Sequence, residues 1–427
     1  MCYNKKMEHR IEKLQLKNGA KLINVVIKNL PITMVSAWFR TGSRFDPAGK
    51  EGLAHFLEHL CMKKTKKYPN EIERLKSLES RGIKFNAYTS YETTHFYHVQ
   101  EKEETYTSLE FLIDGLNDYV LCENDIEKEK GIVINEMLEN KSNPNEYIWN
   151  ISNQALWKNS TMGRNFFGNR QSIESIKKDD LEKFIQQYYS ARNCVFVVVG
   201  DEDTEKLGEF FSKINFKNDI EVKKEKEAYG QPEKLSIAKN DNKQVTVAVA
   251  FKTFSMGDFY DMAIMDFIRD YLSNKWISKL IEELRLKRNI TYWVDGVSVN
   301  FSDTGFLRLV FSCDKKFVLE AIGIILDEIE KIKAGSFKDV DLSYFKKSFT
   351  SSLAIKFTDP YEYLWWYGWQ ATILGKNEVF SVDEYVKLIQ KITPGDMREI
   401  VEKYLDKENI SISIIGDVES TSFDSLK

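Results

Sequence analysis

The chain contains one long internal repeat. Residues 144–149 (PNEYIW) resemble residues 360–365 (PYEYLW), and the same offset aligns residues 176–201 with residues 392–417 without a gap. In each longer copy an amphipathic helical pattern leads into an apolar run that ends in Gly-Asp, a pattern typical of a buried strand. Solenoid repeats recur every ~20–50 residues. The much longer spacing here therefore predicts a duplicated domain.

The repeat predicts two homologous domains joined by a charged segment. We expect domains at residues 1–215 and 233–427, with residues 216–232 (FKNDIEVKKEKEAYGQP) as the linker. A chain of 427 residues exceeds one ordinary hydrophobic core, which agrees with this division. Each half is expected to be an α/β unit of the α+β type, with helices packed on one face of an antiparallel-rich mixed sheet.

Composition argues against nucleic acid and membrane partners. The net charge of −4 and the isoelectric point of 6.0 leave no basic surface for nucleic acid. A membrane span needs about 18 or more consecutive apolar residues, and the sequence contains no such run. The 5 cysteines are widely spaced and residues 1–13 lack a secretion signal, which favours free thiols in a reducing compartment. We therefore expect a cytoplasmic protein.

Two histidines and a glutamate are predicted to share one face of a short helix near the N-terminus. Taking ~100° per residue, His55, Glu58 and His59 lie within about 100° of one another. The opposite face is apolar and would pack inward: Leu53, Phe56, Leu57 and Leu60. Two imidazole ligands beside a carboxylate base are typical of a catalytic zinc helix, here in the inverted order H-x-x-E-H. Solvated or core histidines are the alternative that this pentapeptide alone leaves open.

A third zinc ligand is predicted on a second helix, at residues 125–141. There Glu129 and Glu136 lie on nearly the same helix face, and the repeat aligns them with Phe345 and Ser352. All 5 histidines precede residue 99, so the second half has neither the imidazoles nor these carboxylates. Their joint loss favours a metal site in the first half over the alternative, a merely acidic and solvated helix.

These motifs together resemble the inverted-zinc metallopeptidases of the pitrilysin, insulinase and mitochondrial processing peptidase family, in its short branch. Three further blocks match in order: residues 16–19 (LKNG), 40–44 (RTGSR) and 52–59 (GLAHFLEH). The resemblance implies that one Zn²⁺ per chain is bound by the ligand set His55, His59 and Glu136. It also implies that Glu58 is the general base and that Glu129 supports the site.

A strand motif extends the resemblance to substrate binding. Residues 81–89 (RGIKFNAYT) resemble the family strand that takes a peptide as an added neighbour, which implies that Asn86 and Ala87 contact the substrate. Such strand addition binds any extended peptide through main-chain hydrogen bonds. Without the family context, a plain amphipathic strand would be the simpler interpretation.

A motif in the second half resembles the family's Arg–Tyr element. Residues 284–292 (LRLKRNITY) match it, which implies that Arg285 and Tyr292 bind substrate and stabilise the transition state as hydrogen-bond donors. Asn289 stands where the family usually has glycine, although asparagine also tolerates a left-handed backbone. Lys64 likewise replaces the glycine that usually follows the zinc helix.

The resemblance implies a zinc metalloendopeptidase that hydrolyses unfolded peptides or flexible segments inside a closed chamber. Four homologous halves build such a chamber, so two subunits are needed. Because this chain carries both the zinc motif and the Arg–Tyr element, we expect a homodimer, with a heterodimer with a related subunit as a second possibility.

Two alternatives to this function stay open from the sequence. The chain could be a catalytically silent scaffold or binding subunit of a peptidase-like heteromer, or the zinc could be structural. The sequence also leaves open the peptide substrate, its cleavage-site preference, and leader-peptide processing as against general degradation. The aromatic cluster at residues 361–369 either lines the chamber or belongs to the core, which is the interpretation we favour.

Overall fold

The chain forms two compact units in this computed structural model. It describes residues 8–216, 218–222, 227, 229–336, 339–375, 379–419 and 423. Unit 1 is built from the described parts of residues 1–137, 165–224 and 354–379, and unit 2 from those of residues 138–164, 225–353 and 380–427. Each unit contains one mixed sheet with helices. The predicted fold class, two duplicated sheet-and-helix domains, is confirmed.

The strands of the two sheets are numbered along the chain. Unit 1 contains β1 His9–Gln15, β2 Lys21–Ile27, β3 Ile32–Phe39, β4 Lys84–Thr89, β5 Thr94–Glu101 and β6 Cys194–Gly200. Unit 2 contains β7 Leu235–Ala238, β8 Val245–Thr253, β9 Val294–Asn300, β10 Gly305–Cys313 and β11 Ile410–Ile415. The first sheet has the order β1-β2-β6-β3-β5-β4, and the second has the order β7-β11-β8-β10-β9.

The helices follow in the same way. The first half of the chain carries α1 Leu53–Leu60, α2 Glu71–Glu79, α3 Thr105–Asn117, α4 Glu123–Ser142, α5 Pro144–Leu156, α6 Arg170–Ser175, α7 Lys178–Tyr188 and α8 Thr204–Phe211. The second half carries α9 Phe259–Leu272, a π-helical turn Ile281–Lys287, α10 Val318–Lys333, α11 Asp339–Lys356, α12 Pro360–Leu374, α13 Val382–Lys391 and α14 Pro394–Tyr404. Among the described residues, no helix is both long and apolar enough to cross a membrane.

The duplication predicted from the repeat is visible in the strand order. The sequence β2-β6-β3-β5-β4 of the first sheet corresponds to β7-β11-β8-β10-β9 of the second. Within these two sets of five strands the first pair, β2 with β6 and β7 with β11, is parallel, and the other pairs are antiparallel. The apolar runs that end in Gly-Asp form β6 and β11, and both strands are buried along their whole length.

One helix from each half of the chain packs on the sheet that the other half forms. Helix α5, from the first half of the chain, packs on β8 and β11, whereas α12, from the second half, packs on β3 and β6. The compact units therefore differ from the predicted domain limits in two segments, residues 138–164 and 354–379. The repeat alone could not reveal this, because two similar helices fit two similar sheets equally well.

The exchanged helix α12 explains the aromatic cluster at residues 361–369. Tyr363 and Tyr367 are buried in unit 1, and a Cβ added at Gly368 would lie 2.3 Å from a ring atom of Trp38 on β3. Helices α1, α3, α7 and α8 bury the opposite face of the same sheet. The sheet of unit 1 is thus covered on both faces. Within the cluster Tyr363 and Tyr367 belong to the core, whereas the other aromatic side chains are half-buried.

Candidate metal centre

Helix α1 carries the two histidines on one face and apolar residues on the other. The four residues predicted to pack inward are all buried in the core of unit 1: Leu53, Phe56, Leu57 and Leu60. Asp46 holds the first turn, because the backbone N–H groups of Gly52 and Ala54 donate to its carboxylate at 2.7 and 2.8 Å. A carboxylate at this end also complements the positive end of the helix dipole.

Gly52 precedes α1, and the backbone conformation at this position requires a glycine. It has a φ of +91°, and a Cβ at this position would lie 2.5 Å from the carbonyl oxygen of Phe167. An alanine here would therefore be strained and would also push the segment at residues 166–168 away. That segment matters for the site, because the rings of Phe166 and Phe167 contact His55 at centroid distances of 5.4 and 5.2 Å.

Three ligand atoms converge between α1 and α4. Nε2 of His55 and Nε2 of His59 are 3.3 Å apart, and Glu136 lies 3.7 Å from the former and 3.4 Å from the latter. Zinc with bonds of about 2.0–2.1 Å in tetrahedral geometry separates its ligand atoms by about 3.3–3.4 Å. Among the described residues, these three form the cluster of His, Cys, Asp and Glu side chains suited to a metal ion. The donor set and its spacing therefore fit zinc.

The charge state of His55 also suits a metal ligand. Burial and, to a smaller extent, the neighbouring His59 lower the pKa of His55 to about 3, while Glu129 acts in the opposite direction. The ring is therefore neutral at pH 7, which is the form that binds a metal. Its Nδ1 is buried and has no hydrogen-bond partner among the described residues.

Glu129 contacts Nδ1 of His59, the ring nitrogen that does not face the ligand cluster. Its side chain is 4% exposed, and its two carboxylate oxygens lie 2.9 Å from Nδ1 of His59 and 2.5 Å from Nζ of Lys63. An imidazole that donates its Nδ1 proton to a carboxylate keeps a lone pair on Nε2 for a metal. Glu129 lies two helical turns before Glu136, so the spacing on α4 is the signal by which sequence analysis could find this pair.

The pKa values around Glu129 follow from these contacts. Burial would raise the pKa of Glu129, but hydrogen bonds from His59 and Lys63 outweigh it and lower the pKa. Burial would lower the pKa of His59, but the hydrogen bond to Glu129 and the charges of Glu58 and Glu136 outweigh it and raise the pKa. The carboxylates thus hold the His59 ring in place through charge as well as geometry.

Glu58 lies beside the ligand cluster and is held by the neighbouring strand. Burial raises its pKa, with a further contribution from Glu136, while hydrogen bonds from the side chain and backbone of Thr89 and the charge of His59 act in the opposite direction. Thr89 is the buried last residue of β4. Thr89 belongs to the strand motif at residues 81–89, but a strand pattern does not indicate that its side chain reaches Glu58 on the helix.

Strand β4 forms one edge of the sheet of unit 1. Among the described residues it pairs only with β5, so its other side is open. Asn86 is exposed and Ala87 is half-buried, and the Asn86 side-chain oxygen accepts a hydrogen bond from the Ala87 N–H at 2.9 Å. The residues predicted to contact substrate therefore lie on an open strand edge that also packs against α1.

The Arg–Tyr element lies in unit 2 and includes a third residue that the sequence did not indicate. The guanidinium of Arg285 stacks 4.2 Å from the ring centroid of Tyr292 and 4.7 Å from that of Trp276. Both aromatic side chains are 72% exposed. Asn289 has a φ of +57°, which is the left-handed conformation expected where relatives usually have glycine.

Two family models match consecutive parts of this chain. "Insulinase (Peptidase family M16)" matches residues 25–170, and "Peptidase M16 inactive domain" matches residues 175–349. The mitochondrial-processing peptidase subunit beta of Bos taurus is 23% identical over 416 residues, which cover 95% of this chain and 84% of that protein. A Rickettsia bellii protein described as an uncharacterized zinc protease is 22% identical over 421 residues, covering 96% of this chain and 98% of that protein.

Solved structures agree in fold. A protease from Helicobacter pylori superposes with a TM-score of 0.87 at 20% identity, covering 96% of this chain and 99% of that one. A peptidase M16 inactive domain from Pseudomonas fluorescens superposes with a TM-score of 0.88 at 15% identity, covering 96% and 98%. With relatives aligned along nearly its whole length and both family models matched in order, the chain belongs to the pitrilysin and insulinase family of peptidases, family M16.

Proposed function

We propose that the protein is an active zinc metalloendopeptidase that cleaves unfolded peptides or flexible segments. The observation that carries the proposal is the convergence of His55, His59 and Glu136 at the separations of a tetrahedral zinc ligand set. Glu129 behind His59 and Glu58 beside the cluster add a supporting acceptor and a base. A purely structural zinc site would have a fourth protein ligand instead of a base.

Substrate binding is proposed to use the open edge of β4. An extended peptide would add to this edge through main-chain hydrogen bonds, with Asn86 and Ala87 beside it. The edge packs against α1, so an added strand would run past the ligand cluster. Folded domains cannot supply such a strand, which restricts substrates to unfolded or flexible segments.

The proposed chemistry divides between the zinc and the protein. Zinc held by His55, His59 and Glu136 would polarise the scissile carbonyl and lower the pKa of the attacking water. Glu58 would accept the proton of that water and then deliver it to the leaving amine. The hydrogen bonds from Thr89 hold the Glu58 carboxylate, and its burial raises the pKa towards the range useful for a general base.

Arg285 and Tyr292 are proposed to donate hydrogen bonds to the substrate in the transition state. Arg285 makes stacking contacts with Trp276 and Tyr292, and no ion pair to a described residue occupies its N–H groups. Those groups are therefore available to a peptide carbonyl. We also propose a homodimer with a closed chamber, because one chain carries both the zinc ligand set and the Arg–Tyr element. A cytoplasmic location is part of the same proposal.

Metal analysis combined with peptide cleavage tests the proposal. We expect one zinc per chain, cleavage of a quenched and unstructured peptide library by the wild type, and loss of cleavage without loss of zinc in Glu58→Gln. Glu127→Gln makes the same chemical change on the solvent face of α4 and should leave both readouts unchanged. Zinc binding without cleavage by the wild type would contradict the proposal and favour a silent binding subunit instead.

A further inference from the structure

A cavity beside the proposed catalytic base contains polar groups that the mechanism does not use. It has a volume of about 230 Å³ and lies in unit 1, where α1, α2 and β4 meet. Glu58 and His59 of α1 and Asn86 of β4 line it. Its other polar lining includes Arg74 of α2 and His98 of β5. A peptide added to β4 could therefore insert a side chain here.

Arg74 is a buried cation with an unused hydrogen-bond donor. The residue is 2% exposed, its Nε donates to the carbonyl of Met62 at 2.8 Å, and its Nη2 donates to the carbonyl of Phe111 at 3.0 Å. Its Nη1 is buried and has no partner among the described residues. A buried N–H group without an acceptor is unfavourable, so an oxygen atom placed in the cavity would relieve it.

His98 lines the same cavity and has one ring nitrogen without a partner among the described residues. The residue is 1% exposed, and its Nδ1 lies 3.2 Å from the carbonyl oxygen and 2.9 Å from the hydroxyl of Ser108. When Nδ1 carries the proton it donates to that carbonyl oxygen, which can only accept, and Nε2 then keeps its lone pair. Burial and the charge of Arg74 lower the pKa of His98 to about 3, so the ring is neutral. Its Nε2 has no partner among the described residues.

We propose that this cavity is a subsite for a glutamine or asparagine side chain of the peptide substrate. The side-chain carbonyl oxygen accepts from Nη1 of Arg74, and the amide N–H donates to Nε2 of His98. The proposal rests on the proposed peptidase function, because the side chain enters from a peptide bound along β4. It goes further by naming the residue type that the site prefers.

Other side chains satisfy this pair less well. An aliphatic side chain would leave both Arg74 and His98 without partners, and a site built for hydrogen bonds discriminates strongly against such a ligand. A carboxylate would direct a lone pair at Nε2 of His98, in a cavity that Glu58, Glu71 and Glu129 also line. A basic side chain could pair with those carboxylates, but it has no acceptor and would leave Nη1 of Arg74 without a partner.

Peptide binding to the Glu58→Gln protein tests the subsite without requiring cleavage. Unstructured fluorescent peptides that differ at one position, with Gln, Glu or Met, would be compared by anisotropy at each position in turn. We expect one position at which Gln binds about tenfold or more tightly than Met. Adding His98→Phe should reduce that ratio to near 1, whereas His95→Phe, a buried histidine on the same strand that does not line the cavity, should preserve it.

The affinity for the Gln peptide relative to the Met peptide distinguishes the subsite from an effect on folding and from the catalytic proposal. Both affinities come from one preparation, so a loss of folded protein leaves their ratio unchanged. Equal affinities for Gln and Met, no binding of either peptide, or a ratio that survives His98→Phe would overturn the subsite. If the wild type cleaves no peptide while Glu58→Gln prefers the Gln peptide, the subsite is supported and the peptidase proposal is refuted. If the wild type cleaves peptides but Glu58→Gln shows no preference for Gln, the peptidase is supported and the subsite is refuted.

Discussion

Glu129→Gln provides a sharp test of how the ligand cluster is held. The substitution keeps the shape of a buried side chain but removes the charge that accepts from both His59 and Lys63. Hydrogen bonds to charged groups contribute about 1.5–3 kcal/mol each. Glutamine replaces one of the two carboxylate oxygens with an NH₂ group, which cannot accept, so one of the two donors faces another donor.

The expected effect is a loss of zinc affinity. Removing an acceptor behind a metal-bound histidine costs about 10–100-fold in metal affinity. We expect a value in this range, equivalent to about 1.4–2.7 kcal/mol, because the His59 ring is no longer held by charge. Lys63→Met should weaken zinc binding less, since His59 keeps its acceptor in that variant.

Competition with a chromogenic chelator at constant pH measures the zinc affinity of each variant. Glu127→Gln, on the same helix but facing solvent, controls for the loss of a carboxylate as such. A zinc affinity for Glu129→Gln within about threefold of the wild type, well below the effect expected of a supporting acceptor, would refute the reasoning. Thermal melting of the metal-free proteins would separate a general loss of stability from a loss at the site.

Three further predictions concern the backbone, the Arg–Tyr element and acid stability. Gly52→Ala should destabilise the fold by about 1–3 kcal/mol through strain, measured by denaturant unfolding, whereas Gly131→Ala, where an added Cβ meets no atom within 4 Å, should be neutral or stabilising. Trp276→Ala should lower kcat/KM about tenfold with zinc content unchanged, because Arg285 loses its stacking contact with Trp276, worth about 0.5–2 kcal/mol. An unchanged kcat/KM would show that Trp276 does not contribute to the site. Burial lowers the pKa of His95 to about 3 from 6.5, so the unfolded chain binds the proton first and stability falls as pH drops below about 6.5. His95→Phe should therefore lose less stability than the wild type between pH 7.5 and pH 5.

The zinc helix illustrates what a local pattern can predict. Its apolar face and its ligand face follow from the 3.6-residue period, and the structure buries the former and gathers the latter with Glu136. The apolar positions of helix α4 are harder to assign from the sequence, since Ile132 is 52% exposed while Ile134, two residues later, is buried. A helix that is polar on most sides carries too weak a pattern to assign single apolar positions.

Contacts between distant segments explain what the sequence did not indicate. Thr89, Trp276 and the pair of Arg74 with His98 acquire their significance from neighbours that only the folded chain provides. Thr89 lies in the strand motif at residues 81–89, which assigns it no role, and the other three residues belong to no motif with a fixed spacing.

The exchange of α5 and α12 between the two halves has a consequence for biosynthesis. The first sheet lacks the cover over β3 and β6 until residues 360–374 have left the ribosome, late in translation. Its apolar surface, including Trp38, would stay open to water or to chaperones during most of synthesis. If the two halves were expressed as separate chains, divided at the charged segment, we therefore expect them to fold only when they are produced together and associate.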